Sequence, residues 1–456
     1  MGWYKDIKIV LDQEPEVWLS YLYGQQLENL PHLTRTKPKY RGAIIQVAKF
    51  FGYLLRDLQF RQTKKNAAPV SFFVFFGTLN QKKSLNPTIN SLNQRGETVA
   101  VIAPESLIKE EGDGRTCFSL KYSFSDVCKA LFLFAVRGPA LYRDLRKIHP
   151  VAISWYLSNF CSSYAFLSFF QRQLTRIRPD FVVTANDHNT PNRCMLAMAH
   201  HLGIKTVYLQ HASVSNLFPA LRVRYAFLDG QSALDTYQEC EANQPDNPRN
   251  VPEPEVFLTG QKKHLIRNVK SENNTLGVAL NALDEPSAAI RFVNDLVDKG
   301  CQVHLRWHPG QPLRDIEEYT AAFCGAQCVT LSNPNCEDIS VFLEKIGFLI
   351  AGNSSVHLEA ALSGVTPIYY EITQADTPDY YGYVKSGLAI ATVLISDIVD
   401  VVNGRGGHTR SSVNIVRYYS ATYLTEWDGR EGELVGECLF RIARSYDLPI
   451  EGKSLI

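Results

Sequence analysis

The chain has 456 residues, 45% of them apolar and 20% charged, so it is long enough for two or three packed domains and too apolar to be disordered, collagenous or a coiled coil. Forty-seven Lys and Arg against 46 Asp and Glu leave a formal net charge of +1, which gives no general electrostatic reason to bind nucleic acid. Ten scattered cysteines include no CxxC pair, and Cys324 and Cys328 lack a nearby His or Cys to complete a zinc site, so reduced thiols and a cytoplasmic location are expected.

Residues 1–66 read as a basic, mostly helical N-terminal segment without the long apolar run of a secretory signal. Across residues 42–62, Ile44, Val47, Ala48, Phe51, Leu55 and Leu58 recur at the helical period and predict one apolar face. Between residues 31 and 66 stand nine basic residues (Arg35, Lys37, Lys39, Arg41, Lys49, Arg56, Arg61, Lys64 and Lys65) and one acid, Asp57. Two readings are open: a solvated face on a packed helix, or a basic amphipathic surface that rests on anionic lipid.

Residues 70–76 are apolar apart from Ser71, the pattern of a strand covered on both faces. A Gly77-Thr78 turn, a helix over 86–95 and a strand over 98–103 complete a βαβ start. Helices are predicted over 125–148 and 151–177; serines interrupt the greasiest stretch, 152–170, which reads as a buried helix and not a membrane span. A strand over 181–184, a helix over 191–202 and a strand over 206–209 follow. Together, residues 67–240 read as a Rossmann-like acceptor domain. Asn and Pro then cluster in 242–254, so 241–275 reads as a connector. The alternation restarts with strands over 276–280, 303–307, 328–331, 348–351 and 366–370, separated by helices over 286–299, 313–323, 337–345 and 356–362. Residues 276–425 thus read as a second Rossmann-like domain, and 426–456 as a closing helix and tail. The predicted fold class is α/β, two doubly wound domains facing a cleft, with ligands held past the carboxyl ends of the strands.

Five turns at predicted strand ends carry candidate chemistry. Gly352-Asn353-Ser354-Ser355 leads into a helix whose free N–H groups suit a phosphate, and Glu359 sits one turn in, where it can accept hydrogen bonds from a ribose; Ser354 is equally suited to be a plain N-cap. Arg306-Trp307-His308-Pro309-Gly310 places His308 at a strand end, with Arg306 on the same side if the strand runs on that far. Gln210-His211-Ala212 ends a strand of the first domain. Asn186-Asp187-His188-Asn189 ends another and sets a titratable pair beside three candidate helix caps. Gly77-Thr78 permits close approach of a ligand but lacks both the GxxxxGK[ST] and the GxGxxG patterns.

His308-Pro309, with Ser354-Ser355 46 residues further on, resembles the motif pair of GT-B glycosyltransferases of bacterial surface-polysaccharide synthesis. That group includes polysialyltransferases, Kdo transferases and CDP-glycerol polymerases. Gln210-His211-Ala212 is similar to its Gln-His-Gly element, with Ala in place of Gly. The likeness covers roughly residues 180–370. It implies that His308 and Pro309 meet the donor phosphate with Arg306 beside them. Gly352, Asn353, Ser354 and Ser355 would hold that phosphate, and Glu359 would lie near the ribose. Asp187 or His211 would be the base or nucleophile, with Gly77, Thr78, His188 and Gln210 toward acceptor or sugar. The resemblance also implies a nucleotide-sugar donor, a CMP-activated acidic sugar such as Kdo or sialic acid being preferred, and a glycan or glycolipid acceptor of capsule or lipopolysaccharide synthesis. No cofactor is expected, and with no Asp-X-Asp motif in the chain, no metal. UDP- or GDP-sugar transfer, CDP-polyol phosphotransfer, nucleotide-sugar 2-epimerisation and a non-catalytic glycan-binding scaffold are the alternatives.

Overall fold

The computed structural model describes residues 2–26, 41–59, 70–108, 116–243, 253–262, 265, 274–375, 377–405 and 411–454. The chain forms two compact units, the first built from the residues up to Lys262 together with Arg430–Ile456, the second from Lys263–Gly429.

The first unit opens with α1 (Gly2–Gln13), α2 (Glu16–Leu19), a π-helical turn (Leu22–Gln26) and α3 (Ala43–Arg56). Its alternating part runs β1 (Phe72–Phe75), α4 (Leu79–Gln94), β2 (Val99–Ala103), α5 (Glu105–Ile108), β3 (Thr116–Ser119), α6 (Phe124–Ile148), α7 (Pro150–Ile177), β4 (Phe181–Thr184), α8 (Thr190–His201), β5 (Lys205–Leu209), β6 (Tyr225–Leu228), α9 (Gln231–Ala242) and β7 (Glu255–Leu258). The second unit runs β8 (Leu276–Ala279), α10 (Pro286–Asp298), β9 (Val303–Arg306), α11 (Leu313–Ala322), β10 (Val329–Ser332), α12 (Ile339–Glu344), β11 (Phe348–Ala351), α13 (Val356–Leu362), β12 (Thr366–Tyr369), β13 (Ile390–Ala391), α14 (Ile395–Val402) and α15 (Val413–Tyr419). The chain then returns to the first unit with α16 (Glu431–Arg444) and β14 (Lys453–Ser454).

Strand order is β14-β7-β6-β5-β4-β1-β2-β3 in the first sheet and β10-β9-β8-β11-β12-β13 in the second. All pairings are parallel except β14 on β7. Each order is doubly wound. The chain moves outward from a middle strand, then restarts on its other side, so the order reverses between β1 and β4 and between β8 and β11. A crevice opens at the carboxyl ends of such a strand pair, because the two flanking connections leave in opposite directions. In each unit, this pair is where a ligand crevice is expected.

Both sheets are covered on both faces, as their apolar strands require. In the second unit, α10, α11 and α14 pack with Leu276, Val278, Val303, Leu305, Ile350 and Ile368 on one face. On the other, α12 and α13 pack with Ala279, Leu349 and Ala351. In the first unit the greasy stretch is α7, a buried central helix, and among the described residues no helix is long and apolar enough to cross a membrane.

The structure departs from expectation in several places. Residues 241–275 are not all connector: β7 belongs to the first sheet, while residues 244–252, with most of the Asn and Pro cluster, lie outside the described residues. Helix α4 begins seven residues before the predicted 86, because Thr78 caps it and Pro87 sits inside it. Of the apolar face read over 42–62, Ile44, Ala48, Phe51 and Leu55 are exposed while Val47 and Leu58 pack half-buried against the core, and the buried positions of α3 are Gln46, Phe50 and Leu54. Of the nine basic residues in that segment, Arg35, Lys37, Lys39, Arg61, Lys64 and Lys65 lie outside the described residues.

Helix α16 lies along α4 without side chains at its contact points. A Cβ on Gly432 would stand 2.3 Å from Cβ of Pro87, and one on Gly436 2.4 Å from Oγ of Ser91. Around this contact Arg95 pairs with Glu437 at 2.5 Å and Arg444 with Glu97 at 2.8 Å. Gly432→Ala gains at most about 1 kcal/mol of helix propensity, whereas forcing a methyl against a rigid proline costs about 1–3 kcal/mol. The variant should unfold at lower denaturant than the parent; an equal or higher midpoint would show that α16 can slide off α4 at no cost.

Candidate functional site

In the second unit the chemistry-bearing turns sit on three neighbouring strand ends: β9, β8 and β11. At β8 the turn is built by Asn281 and Asp284. The Asp284 carboxylate accepts from the Asn281 backbone N–H at 2.7 Å, and Asn281 Oδ1 accepts from Leu283 N–H at 3.0 Å. The Asn281 side-chain amide then donates to the Asn353 carbonyl at 2.7 Å, tying the two turns across the point of reversal.

Four contacts fix the backbone of the β11 turn. Asn353 Oδ1 accepts from Tyr380 N–H at 2.8 Å and from the Tyr369 hydroxyl at 3.3 Å, and its Nδ2 donates to Thr377 O at 2.7 Å. Behind the turn, His357 Nε2 donates to the Gly352 carbonyl at 2.9 Å. Asn353 is therefore a crosslink between this turn and the segment after β12. The N-cap of α13 is Ser355, not Ser354, and its side chain makes no capping bond; Ser354 Oγ, one residue earlier, accepts weakly from Val356 N–H at 3.4 Å. Glu359 is buried in the same helix.

His308 lies two residues past the end of β9. A backbone N–H can only donate, so the bond from Gly310 N–H to His308 Nδ1 at 3.0 Å makes Nδ1 the acceptor and puts the ring proton on Nε2. An Nδ1 that accepts a hydrogen bond requires the neutral ring, and desolvation lowers the His308 pKa in the same direction. His308 is thus a preset N–H donor. Arg306 does not join it. Strand β9 ends at Arg306, whose guanidinium donates to Ser332 Oγ at 2.7 Å and to the Glu337 carbonyl at 2.9 Å and lies over the Phe342 ring. It braces β10 and α12.

In the first unit the turns at β1 and β4 flank the reversal, and that at β5 lies one strand further. Thr78 is the cap of α4, its Oγ1 accepting from Gln81 N–H at 3.3 Å, and Gln81 Oε1 accepts in return from Gly77 N–H at 2.8 Å. Asn186 Oδ1 accepts from the N–H groups of His188 and Asn189 at 3.1 and 2.8 Å and so closes the turn ahead of the helix, while the N-cap position itself falls on Asn189, whose side chain makes no capping bond. Its Nδ2 donates to His188 Nε2 at 3.2 Å, so His188 carries its proton on Nδ1 and gives it to Asp187 Oδ1 at 3.0 Å. The Tyr237 hydroxyl donates to Asp187 Oδ2 at 2.8 Å. Buried and bonded at both oxygens, the Asp187 carboxylate raises the pKa values of Tyr237 and Tyr208, after burial itself. Arg193 donates to the Asp187 carbonyl at 3.1 Å and pairs with Glu14. Gln210 is also spent: Oε1 accepts from Asp229 N–H at 2.8 Å and Nε2 donates to Ala212 O at 3.0 Å. His211 next to it is half-buried. Among the described residues no three His, Cys, Asp or Glu side chains converge to hold a metal ion.

Sequence reasoning missed Asn281, Asp284, His357, Tyr369 and Asp379. Asp379, at φ 48°, accepts from Val384 and Lys385 N–H groups at 2.9 Å and orders the segment after β12. Asn281 follows a predicted strand directly and was legible by its position; the role of Asp379 depends on pairings five and six residues away and left no local signal.

No protein-family model and no curated protein matches the sequence. Solved structures do match. A protein of Listeria monocytogenes described as a UDP-N-acetylglucosamine 2-epimerase is 13% identical over 84% of this chain and 99% of its own, with a TM-score of 0.51. A second UDP-N-acetylglucosamine 2-epimerase gives the same values. The glycosyltransferase CalG4 matches more loosely, at 11% identity over 83% of this chain and 98% of its own and a TM-score of 0.49, and no argument rests on it. At these identities the likeness is one of fold: two Rossmann-like domains, the GT-B architecture.

Burial pushes the His357 pKa down to about 4, against about 6.5 for an exposed histidine. The unfolded chain therefore takes up a proton first as pH falls, and stability present above pH 6.5 is lost between 6.5 and 4. For this one group the slope is at most about 1.4 kcal/mol per pH unit. His357→Gln can keep a donor to the Gly352 carbonyl without titrating, so its denaturation midpoint should fall less steeply across that window. An identical slope in the variant would locate the acid sensitivity elsewhere.

Proposed function

We propose that the protein is a glycosyltransferase that moves a sugar from a nucleotide-activated donor to a glycan or lipid-linked glycan of a bacterial surface polysaccharide. The donor is a CMP-activated acidic sugar such as Kdo or sialic acid. It works at the cytoplasmic surface of an anionic membrane. The observation that carries the reading is the preset Nε2–H of neutral His308 on a strand end beside the joined Asn281 and Asn353 turns. A donor of fixed direction, the Ser354 and Ser355 hydroxyls and the amides opening α13 are what a single leaving phosphate needs.

In this reading the acceptor hydroxyl attacks the anomeric carbon, the bond from that carbon to the phosphate oxygen breaks, and CMP leaves. His308 donates a hydrogen bond to the departing phosphate, where charge builds up, and Glu359 lies toward the ribose. The acceptor proton goes to a base of the first unit. Asp187, enclosed by His188 and Tyr237, is assigned the task of holding the β4 turn, and His211 that of taking the proton. Gly77, Thr78, His188 and Gln210 shape the acceptor side through the backbone they fix.

Calorimetric titration should show CMP binding without added metal, weakened in Ser355→Ala. His308→Ala should bind CMP and melt normally yet lose on the order of 100- to 10,000-fold in transfer. His211→Ala should also bind CMP and transfer almost nothing, while Asp187→Asn keeps measurable transfer. Tighter binding of UDP or GDP than CMP would overturn the acidic-sugar donor. Conversion of a nucleotide sugar to its 2-epimer without an acceptor would overturn transfer altogether. A dead Asp187→Asn beside an active His211→Ala would exchange the two roles.

A further inference from the structure

Helix α3 is mounted with its apolar stripe facing water. Its inward side is Gln46, Phe50 and Leu54: Ser158 Oγ of α7 donates to Gln46 Oε1 at 2.7 Å, and the Phe50 ring meets Phe134 of α6 at 5.5 Å between centroids. Outward point Ile44, Ile45, Ala48, Phe51, Gly52 and Leu55, with Ile44 86% and Leu55 71% exposed. Single exposed apolar residues are ordinary on a protein surface, but a stripe running the length of a four-turn helix with no polar residue in it marks an interaction face.

Charge indicates what covers it. At 100° per residue, Lys49 and Arg56 fall on one flank of the stripe, and Arg41 stands at its N-terminal end. Arg41 lies 5.7 Å over the Trp155 ring, and Lys49 and Arg56 lie 5.5 and 4.8 Å from the Tyr53 ring. Asp57, the one acid between residues 31 and 66, is already paired with Arg56 and Lys121. A surface of anionic headgroups matches these cations.

We propose that this face of α3 is what lies on an anionic lipid bilayer, with Ile44, Ile45, Phe51 and Leu55 entering the acyl boundary and Arg41, Lys49 and Arg56 meeting headgroup phosphates. This rests on the membrane-attachment part of the functional reading and is independent of the sugar chemistry.

The test is sedimentation of the full chain with vesicles of phosphatidylcholine alone and with phosphatidylglycerol added. The wild type should sediment with the anionic vesicles and be released by salt. Ile44→Ser/Ile45→Ser/Leu55→Ser removes apolar area without adding charge; it should bind on the order of 100-fold more weakly, with an unchanged melting temperature. Lys49→Gln/Arg56→Gln should lose about fivefold per cation and show a shallower salt dependence. A wild type that binds no vesicle overturns the attachment reading itself. A triple-serine variant that binds as the wild type does overturns this face while leaving attachment standing. A wild-type dimer that the triple variant converts to monomer, with no difference in vesicle binding, assigns the stripe to a second copy instead.

Discussion

A parallel strand gives up both of its faces to helices, and this constraint decides where polar chemistry can stand. Strands such as Phe72–Phe75 and Phe348–Ala351 have no exposed side on which to carry a functional group. Polar residues are displaced to the turns past the carboxyl ends, and the reversal of strand order then selects which turns border a crevice. In the second unit that selection brings Asn281 against the Asn353 carbonyl. In the first it sets the Gly77 turn beside the Asp187 turn, because β1 and β4 are hydrogen-bonded neighbours.

Holding a turn in a near-dry place uses up side chains, since each buried donor or acceptor left unpaired costs about 1–3 kcal/mol. Asn353, Asn186, Gln210, Thr78 and Arg306 all have the composition of ligand-binding residues, and each is bonded to protein. Among the described residues of these turns, His308 Nε2 and the Ser354 and Ser355 hydroxyls donate to no protein group. Chemical type alone does not separate scaffold from site here. The separation lies in where each hydrogen bond ends, and both Asp187 oxygens end on protein, at His188 and Tyr237.

The alternating core was legible because its pattern is local. Strands at 181–184 and 348–351 and a helix at 356–362 lie where apolar runs and turn residues put them. Strand β3, four residues at the sheet edge and partly exposed, offered too short a run. Strand β7 follows an Asn- and Pro-rich stretch, so turn chemistry masked it. Helix α4 starts early because the reciprocal Thr78 and Gln81 contacts outweigh the break that Pro87 suggests. The Ser and His of the donor turns were visible from position after a strand; Asn281 was equally visible but unread, and the hydrogen-bond roles of Asn353 and Arg306 depend on residues 24 to 31 positions away.

Periodicity reports that a helix has an apolar face, but not what that face meets. For α3 the period of Ile44, Phe51 and Leu55 holds and leaves these residues exposed, because the helix seats on α7 through Gln46, with the Ser158 hydroxyl satisfying its amide oxygen. A buried glutamine with a partner costs little, so the side selected for packing need not be the more apolar one. The same N-terminal segment also reaches the β4 turn, through Glu14 to Arg193 and through Ser20 to Thr190 at 3.0 Å. Arg193 in turn holds the Asp187 carbonyl. The helices ahead of the first strand are thus joined to a turn of the candidate site on one side and expose an apolar stripe on another, so the exposed stripe and the residues that hold the β4 turn share one packed scaffold.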